Sequence, residues 1–266
     1  MRPSVHRFLR DPALPFVEYR QARDSRACYH PHSHPALSVG LVDGGASELT
    51  LENLPPQALG AGDVVVIPPG RVHRCNPRPG SGWSYRMLYL RDDWFGALAQ
   101  ESPALRADAF PLWRADPALY AAVDVMLRAS LSEAEPDARE QQLLALLSLL
   151  AQEQGLPQRE PAPDWLQALC NAIRKDCASP WPLPELARRA GVSRFHLIRQ
   201  FQRHQGQTPH AYLLDCRINI ARQRLRQPVT LAELALELGF SDQSHFQRAF
   251  RQRVAATPEQ YRSRAD

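Results

Sequence analysis

Two sets of residues in this chain could do chemistry by their type and spacing. The first is a run of soft ligands at every second position, Cys28, His30, His32 and His34, echoed later by His73 and Cys75. In a strand, alternate residues share a face. Two such strands side by side would gather imidazoles and thiols suited to a zinc-like ion. Pro31 and Pro35 interrupt the first run and work against strict alternation. Three uses therefore stay open for His32, His34, His73 and Cys75: ligands of a divalent metal, walls of a polar pocket for an organic effector, or satisfied structural side chains.

The second set is made of arginines and glutamines placed outward on short helices by a local pattern that occurs twice. The copies read PELARRAGVSRFHLIRQFQRHQGQTP and LAELALELGFSDQSHFQRAFRQRVAATP, about fifty residues apart. Each is a short helix, a glycine turn and a second helix, the arrangement that presents a recognition helix to the DNA major groove. In the first copy Pro184 to Ala190 leads, Gly191 turns and Ser193 is placed as N-cap. Leu197 and Phe201 then face inward, leaving Arg194, Phe195, Ile198, Arg199 and Gln202 outside. In the second, Leu231 to Leu238 leads, Gly239-Phe240 turns, and Asp242 or Ser241 caps. Phe246 and Phe250 face inward there, with Gln243, Ser244, Gln247, Arg248 and Arg251 outside. Arginine matches guanine edges, glutamine matches adenine, and an exposed apolar group suits a thymine methyl. Residues 209–226 form a longer amphipathic helix between the copies, about 27 Å at 1.5 Å per residue. That spacer suits two recognition helices about one duplex turn apart.

The segments ahead of this repeat are the elements that must hold the histidines. Residues 1–26 read as an arm or an edge strand. From Cys28 to Arg91 short apolar runs alternate with turn signals, the pattern of an antiparallel β barrel or sandwich. Within it 37–42 reads as a strand, Asp43-Gly44-Gly45 as a tight turn and 47–51 as the return strand. Val64 to Ile67 reads as an inner strand and Trp83 to Leu90 as a further one. The period turns helical from Trp94. Over 139–154 leucine covers more than one helix face, at 143, 144, 146, 147, 149 and 150, which suggests a second partner, either the adjacent domain or the same helix of another subunit. The expected plan is a 1–154 sensory and dimerisation domain (barrel 28–91, helices 94–154), a proline-rich linker at 155–164 and a DNA-binding domain at 165–266.

Composition agrees with that division. Of the charged residues, 1–163 hold 16 Lys+Arg against 19 Asp+Glu, while 164–266 hold 16 against 9. Lys175 is the sole lysine, so the basic half is an arginine half, and arginine is the better bidentate donor to phosphate and guanine. Five cysteines at irregular spacing do not form a disulfide framework and suit a reducing compartment. With no long apolar run and no leader pattern, a cytoplasmic protein without membrane partners is expected.

Residues 165–262, including GFSDQSHFQRAFRQRVAATPEQYR, resemble the DNA-binding domain of the AraC/XylS family of bacterial transcription regulators. The resemblance implies base contacts from both recognition helices, at Phe195, Ile198 and Arg199 and at Gln243, Ser244, Gln247 and Arg248. It also implies double-stranded promoter DNA as partner, and RNA polymerase if the protein activates. One departure is Val254-Ala255-Ala256-Thr257-Pro258, which lacks the glycine kept at Gly206 in the first copy. The segment GDVVVIPPGRVHRCN and the pair His32, His34 are similar to the two cupin motifs, implying a cupin-like sensory barrel for a small effector. The glutamate that follows the paired histidines in metal-binding cupins is replaced by Leu37, Ser38 or Val39, which argues against an enzyme. The expectation is therefore an α+β multidomain regulator, a cupin-like antiparallel β-barrel with following helices and an all-α domain of two helix-turn-helix units. It is expected to be a homodimer through 139–154 and not an enzyme. A metal-dependent cupin enzyme with a DNA-binding domain, or a metal-responsive regulator, is the alternative.

Overall fold

The computed structural model describes residues 5–52, 54–102, 105, 110, 113–151 and 161–262. Among them eight strands come first: β1 (Val5–Leu9), β2 (Val17–Ser25), β3 (Leu37–Leu51), β4 (Gln57–Gly60), β5 (Val64–Ile67), β6 (His73–Pro77), β7 (Trp83–Leu90) and β8 (Trp113–Arg114). They pair antiparallel in the order β1-β2-β7-β3-β5-β8, with β4 and β6 joined to the far end of β3. Residues 1–26 thus supply an edge strand, as read, and also β2, a nine-residue strand that the charged sequence VEYRQARDS concealed.

The expected hairpin at Asp43-Gly44-Gly45 is not formed. β3 runs unbroken for 15 residues. Its first half pairs with β5 and β7, and its second half, from Ala46, pairs with β4 and β6. The glycines mark a bulge, where the register against β7 shifts between Val42 and Gly44 and the strand bends from one pairing set to the other. Gly45 has φ +77, and a Cβ there would lie 2.1 Å from the Gly82 carbonyl oxygen, so this position needs glycine.

β5 shows why its β-branched run is continuous. Val64 and Val66 join one apolar core and Val65 and Ile67 the other, so both faces are buried. The first core is completed by α2 (Pro117–Ser130) and α3 (Pro136–Leu150), after α1 (Asp92–Glu101). Leu143, Leu146, Leu147 and Leu150 of α3 are all fully buried in it together with Val123 and Leu127 of α2. The leucine surplus is therefore largely consumed within one chain, since α3 packs on α2, which in turn meets β3 and β5; Leu144 and Leu149 remain half-buried.

Among the described residues seven helices follow: α4 (Asp164–Lys175), α5 (Leu183–Ala190), α6 (Arg194–Gln205), α7 (Pro209–Arg224), α8 (Leu231–Glu237), α9 (Gln243–Val254) and α10 (Pro258–Arg262). Most of the expected linker, 155–160, lies outside the described residues. The helices make two apolar cores. Leu197 and Phe201 lie in the first, Phe246 and Phe250 in the second, and α7 feeds both through Tyr212 and Leu213 at one end and Ile218 and Ala221 at the other. Among the described residues no helix is long and apolar enough to cross a membrane.

Candidate nucleic-acid interface and the seam behind it

Both helix-turn-helix units form as the repeat predicts. α5 ends at Gly191 in the left-handed conformation, and the Ser193 side chain accepts a hydrogen bond from the His196 N–H at the start of α6. In the second unit Gly239 turns, and the Asp242 carboxylate accepts from the His245 N–H, so Asp242 rather than Ser241 caps α9. The missing glycine is resolved in an unexpected way. Gly206 ends α6 at φ +66, and Ala255 takes the same left-handed geometry at φ +53 after α9. An alanine held there carries a steric cost that glycine would not.

Burial sorts the side chains as the helical period requires. Leu197, Phe201, Phe246 and Phe250 are completely buried. Arg194, Phe195, Arg199 and Gln202 of α6 are exposed and Ile198 is half-exposed; on α9 Gln243, Ser244, Arg248 and Arg251 are exposed and Gln247 is half-exposed. Phe195 stands 88% exposed, an aromatic ring in water between arginines. The α6 face is open, whereas that of α9 is not free on all sides. A groove of 610 Å³ has Ser244, Gln247, Arg248 and Arg251 on one wall and His6, Ala27 and Cys28 of the β domain on the other.

The soft-ligand pattern is only partly assembled. The segment before β3 is not a strand: Cys28 and His30 are exposed, while His32 makes a single bridge to His73. His32, His34 and His73 form a buried triad with ring centroids 4.5 Å (32 to 73), 4.9 Å (34 to 73) and 6.2 Å (32 to 34) apart. Each Nδ1 lies against a backbone carbonyl, of His30, Ala36 and Arg71, at 2.9, 3.0 and 2.9 Å. A carbonyl only accepts, which assigns the proton to Nδ1. Burial lowers all three pKa values, that of His73 to about 4, so the rings are neutral near pH 7. Cys75 does not complete a metal set. It packs beside the second sheet core, where burial pushes its thiol up to about 12. Among the described residues no three His, Cys, Asp or Glu side chains are placed to hold a metal ion. The triad does not fit the metal reading.

Its position matters through Ser33, which stands between His32 and His34. The Ser33 N–H and Oγ–H both donate to Oδ2 of Asp215 on α7, at 2.7 and 2.6 Å, and Asn219 Nδ2 donates to the Ser33 carbonyl at 3.1 Å. Asp215 is 3% exposed, with Arg253 Nε 3.9 Å from its other oxygen. Burial raises its pKa to about 6 against the pull of these donors. A second junction surrounds Glu18 of β2, itself 2% exposed. Arg10 (2.8 Å), Arg222 (3.0 Å), Arg226 (3.1 Å) and the Tyr261 hydroxyl (2.7 Å) all donate to it. Burial pushes this carboxyl up, but Arg222 and Arg10, then Tyr261 and Arg226, outweigh that and hold it at about 2. Arg20 and the His30 N–H complete the seam by donating to the Val254 and Gln252 carbonyls at the end of α9, both at 2.8 Å.

These seam residues escape a reading directed at apolar periodicity. Asp215, Asn219, Arg222 and Arg226 follow one another at steps of four, three and four, a single polar stripe along one helix face, and that spacing was the available signal. No local spacing points to Glu18 or Ser33, because their partners lie about two hundred positions away.

Comparison with known proteins assigns both halves. A family model described as an AraC-like ligand binding domain matches residues 15–152, and one described as a helix-turn-helix domain matches 186–264. The chain is 27% identical over 249 residues to the uncharacterized HTH-type transcriptional regulator YbfI of Bacillus subtilis, covering 88% of this chain and 87% of that one. It is 27% identical over 257 residues to the HTH-type transcriptional activator RhaS of Pectobacterium carotovorum, covering 92% and 91%. In structure it is similar to ToxT of Vibrio cholerae, with a TM-score of 0.60 at 10% identity over 98% of this chain and 96% of that chain, a likeness of fold. Sensory β domain, paired helix-turn-helix units and family matches lead to one conclusion: the chain belongs to the AraC-type family of DNA-binding transcriptional regulators with an N-terminal ligand-binding domain.

Proposed function

We propose that this regulator reads an asymmetric DNA site, with Arg194, Phe195, Ile198, Arg199 and Gln202 of α6 in one major groove and Gln243, Ser244, Gln247, Arg248 and Arg251 of α9 in the next. The observation that carries the reading is Phe195, 88% exposed while its own helix buries Leu197 and Phe201. A ring held in water among arginines has a use when a thymine methyl covers it. α9 offers glutamines in place of that ring, so the two half-sites differ in sequence. A small effector met by the ligand-binding domain near His34 changes the seam, and through α7 the freedom of both reading helices. His32 and His73 support His34 from behind. The regulator acts in the cytoplasm without catalysis, as a homodimer whose remaining apolar footing on α3 is Leu144 and Leu149, and it meets RNA polymerase if it activates.

Fluorescence anisotropy of the full chain on promoter fragments tests the reading helices. Arg199→Ala is expected to weaken binding by about 1–3 kcal/mol and to relax selectivity at one base position. Unchanged affinity and unchanged selectivity would remove Arg199 from the interface. Affinity should also fall steeply with added salt as phosphate-bound cations are exchanged.

A further inference from the structure

Arg217 has an uncommon set of partners for a buried charge. It lies on α7 between Leu213, which belongs to the first helical core, and Ile218 and Ala221, which belong to the second, and it is 6% exposed. Its Nε donates to the Cys177 carbonyl at 2.7 Å, and its Nη2 to those of Ala178 and Ser179 at 3.3 and 3.2 Å. Its Nη1 donates to the Gly239 carbonyl at 2.6 Å. All four acceptors are uncharged, and among the described residues no carboxylate pairs with it. A buried cation without a counter-charge contributes less to stability than apolar side chains of the same volume. What it can supply is a fixed register between the parts that it binds.

Those parts belong to different reading units. Residues 177–179 lie between α4 and α5 and are fastened to the first unit. Cys177 is buried in its core, and the Trp181 ring carries the Arg189 guanidinium of α5 at 4.7 Å. Gly239 is the turn of the second unit, and Phe240 beside it packs on Phe246 of α9 with ring centroids 5.3 Å apart. The Arg217 guanidinium also lies 5.5 Å from the centre of the Phe240 ring. The two segments are in direct contact as well, since a Cβ on Gly239 would stand 2.1 Å from the Ala178 carbonyl oxygen and 2.8 Å from Arg217 Nη2. The approach to α5 and the start of α9 therefore meet at one side chain, on the helix that feeds both cores.

We propose that Arg217 is a positioning residue for DNA reading: its guanidinium fixes α6 and α9 relative to one another and so sets the number of base pairs between the two half-sites that the chain accepts. This rests on the reading that both helices enter DNA, and it adds what fixes their spacing. A planar fork with donors on set sides can span three carbonyls of one segment and one of another, whereas a lysine ammonium is a point donor. Each added base pair moves the second half-site by about 3.4 Å along the duplex and about 35° around it. A rigid pair of helices rejects that displacement, and a loosened pair follows it.

Anisotropy titrations of the full chain test this on duplexes selected from a random pool by the unaltered chain. Each is resynthesised with one or two base pairs added to or removed from the gap between half-sites. For the unaltered chain one added pair is expected to weaken binding about tenfold. Arg217→Met keeps the length of the stem without the donors, and should reduce that penalty to about threefold or less while binding to an isolated half-site stays within about twofold. Arg217→Lys should give a penalty between the two. An equal loss of affinity at every spacing means that Arg217 only supports the fold and overturns the proposal, as does a spacing profile that neither substitution changes. If Arg217→Met does not fold by circular dichroism, Arg217→Lys decides alone, and a penalty equal to that of the unaltered chain overturns the proposal. Selection of a single half-site by the unaltered chain sinks the reading of two grooves and the proposal with it. A bipartite site whose spacing profile is indifferent to Arg217 sinks the proposal alone.

Discussion

Ala255 shows how a single backbone angle carries information about the whole domain. It closes α9 in the left-handed region at φ +53, where Gly206 closes α6 at φ +66. The neighbouring contacts hold it there: its N–H donates to the Arg251 carbonyl, and Arg20 from the β domain grips the Val254 carbonyl beside it. Left-handed geometry costs a non-glycine residue about 1–2 kcal/mol. Ala255→Gly should therefore stabilise the chain by up to about 1 kcal/mol, the remainder being offset by the lost buried methyl and the freer unfolded chain. A melting temperature that falls would show that the strain has been misjudged and that the methyl contacts dominate. The same residue marks a limit of sequence reading. An absent glycine predicts an altered turn, but the turn is kept and the strain is borne by packing against a distant strand.

At the scale of elements, what was legible followed from local periodicity. Leu197 with Phe201 and Phe246 with Phe250 are four apart and completely buried, and β7 spans Trp83–Leu90 as its alternation predicts. The cap positions, glycine turns and outward arginines were readable for the same reason, since each depends on residues within one or two turns. β3 was misread because Asp-Gly-Gly has the composition of a hairpin turn, and whether it turns or bulges depends on what lies beside it. Gly82 lies there, so close that a Cβ on Gly45 would sit 2.1 Å from its carbonyl oxygen. Gly45→Ala should accordingly destabilise the β domain by about 2–4 kcal/mol, from the left-handed angle and the forced separation of β3 and β7 together. Gly44, where an added Cβ meets nothing within 4 Å, is the matched control and should tolerate alanine far better. Equal denaturation midpoints for the two variants would mean that the bend in β3 does not depend on that close approach. The histidine triad lies between these cases: its alternation was visible, but its neutral, carbonyl-bound rings and the exclusion of Cys75 depend on tertiary burial.

For the whole molecule, the seam makes docking of the β domain on the helices depend on pH in a way that one substitution isolates. Asp215 is raised to about 6 by burial, above its ordinary 3.8, so the docked form favours the protonated acid. Its contribution is fully present below about 3.8 and is lost as pH rises through 6. Glu18 has the opposite sign: held at about 2, below its ordinary 4.5, it stabilises docking above about 4.5 and loses that effect as pH falls towards 2. Between pH 5 and 7.5 Glu18 stays ionised and Asp215 is the seam carboxyl that changes. Its two-unit displacement corresponds to about 2–3 kcal/mol. Asp215→Asn keeps an oxygen able to accept from the Ser33 N–H and Oγ–H while removing the charge, and so imitates the protonated state. Hydrogen exchange of β2 and α7, followed by mass spectrometry, should show protection in the unaltered chain that declines from pH 5 to 7.5 once intrinsic exchange is corrected. Any pH response that comes from His32, His34 and His73 is common to both chains, so the difference between unaltered and Asp215→Asn protein isolates Asp215. That difference should already be about half its full size at pH 5 and reach it by pH 7.5, with the variant better protected. If the two chains respond alike, the buried carboxylate is not what loosens the seam, and the cost of docking must be sought among the unmatched arginines around Glu18.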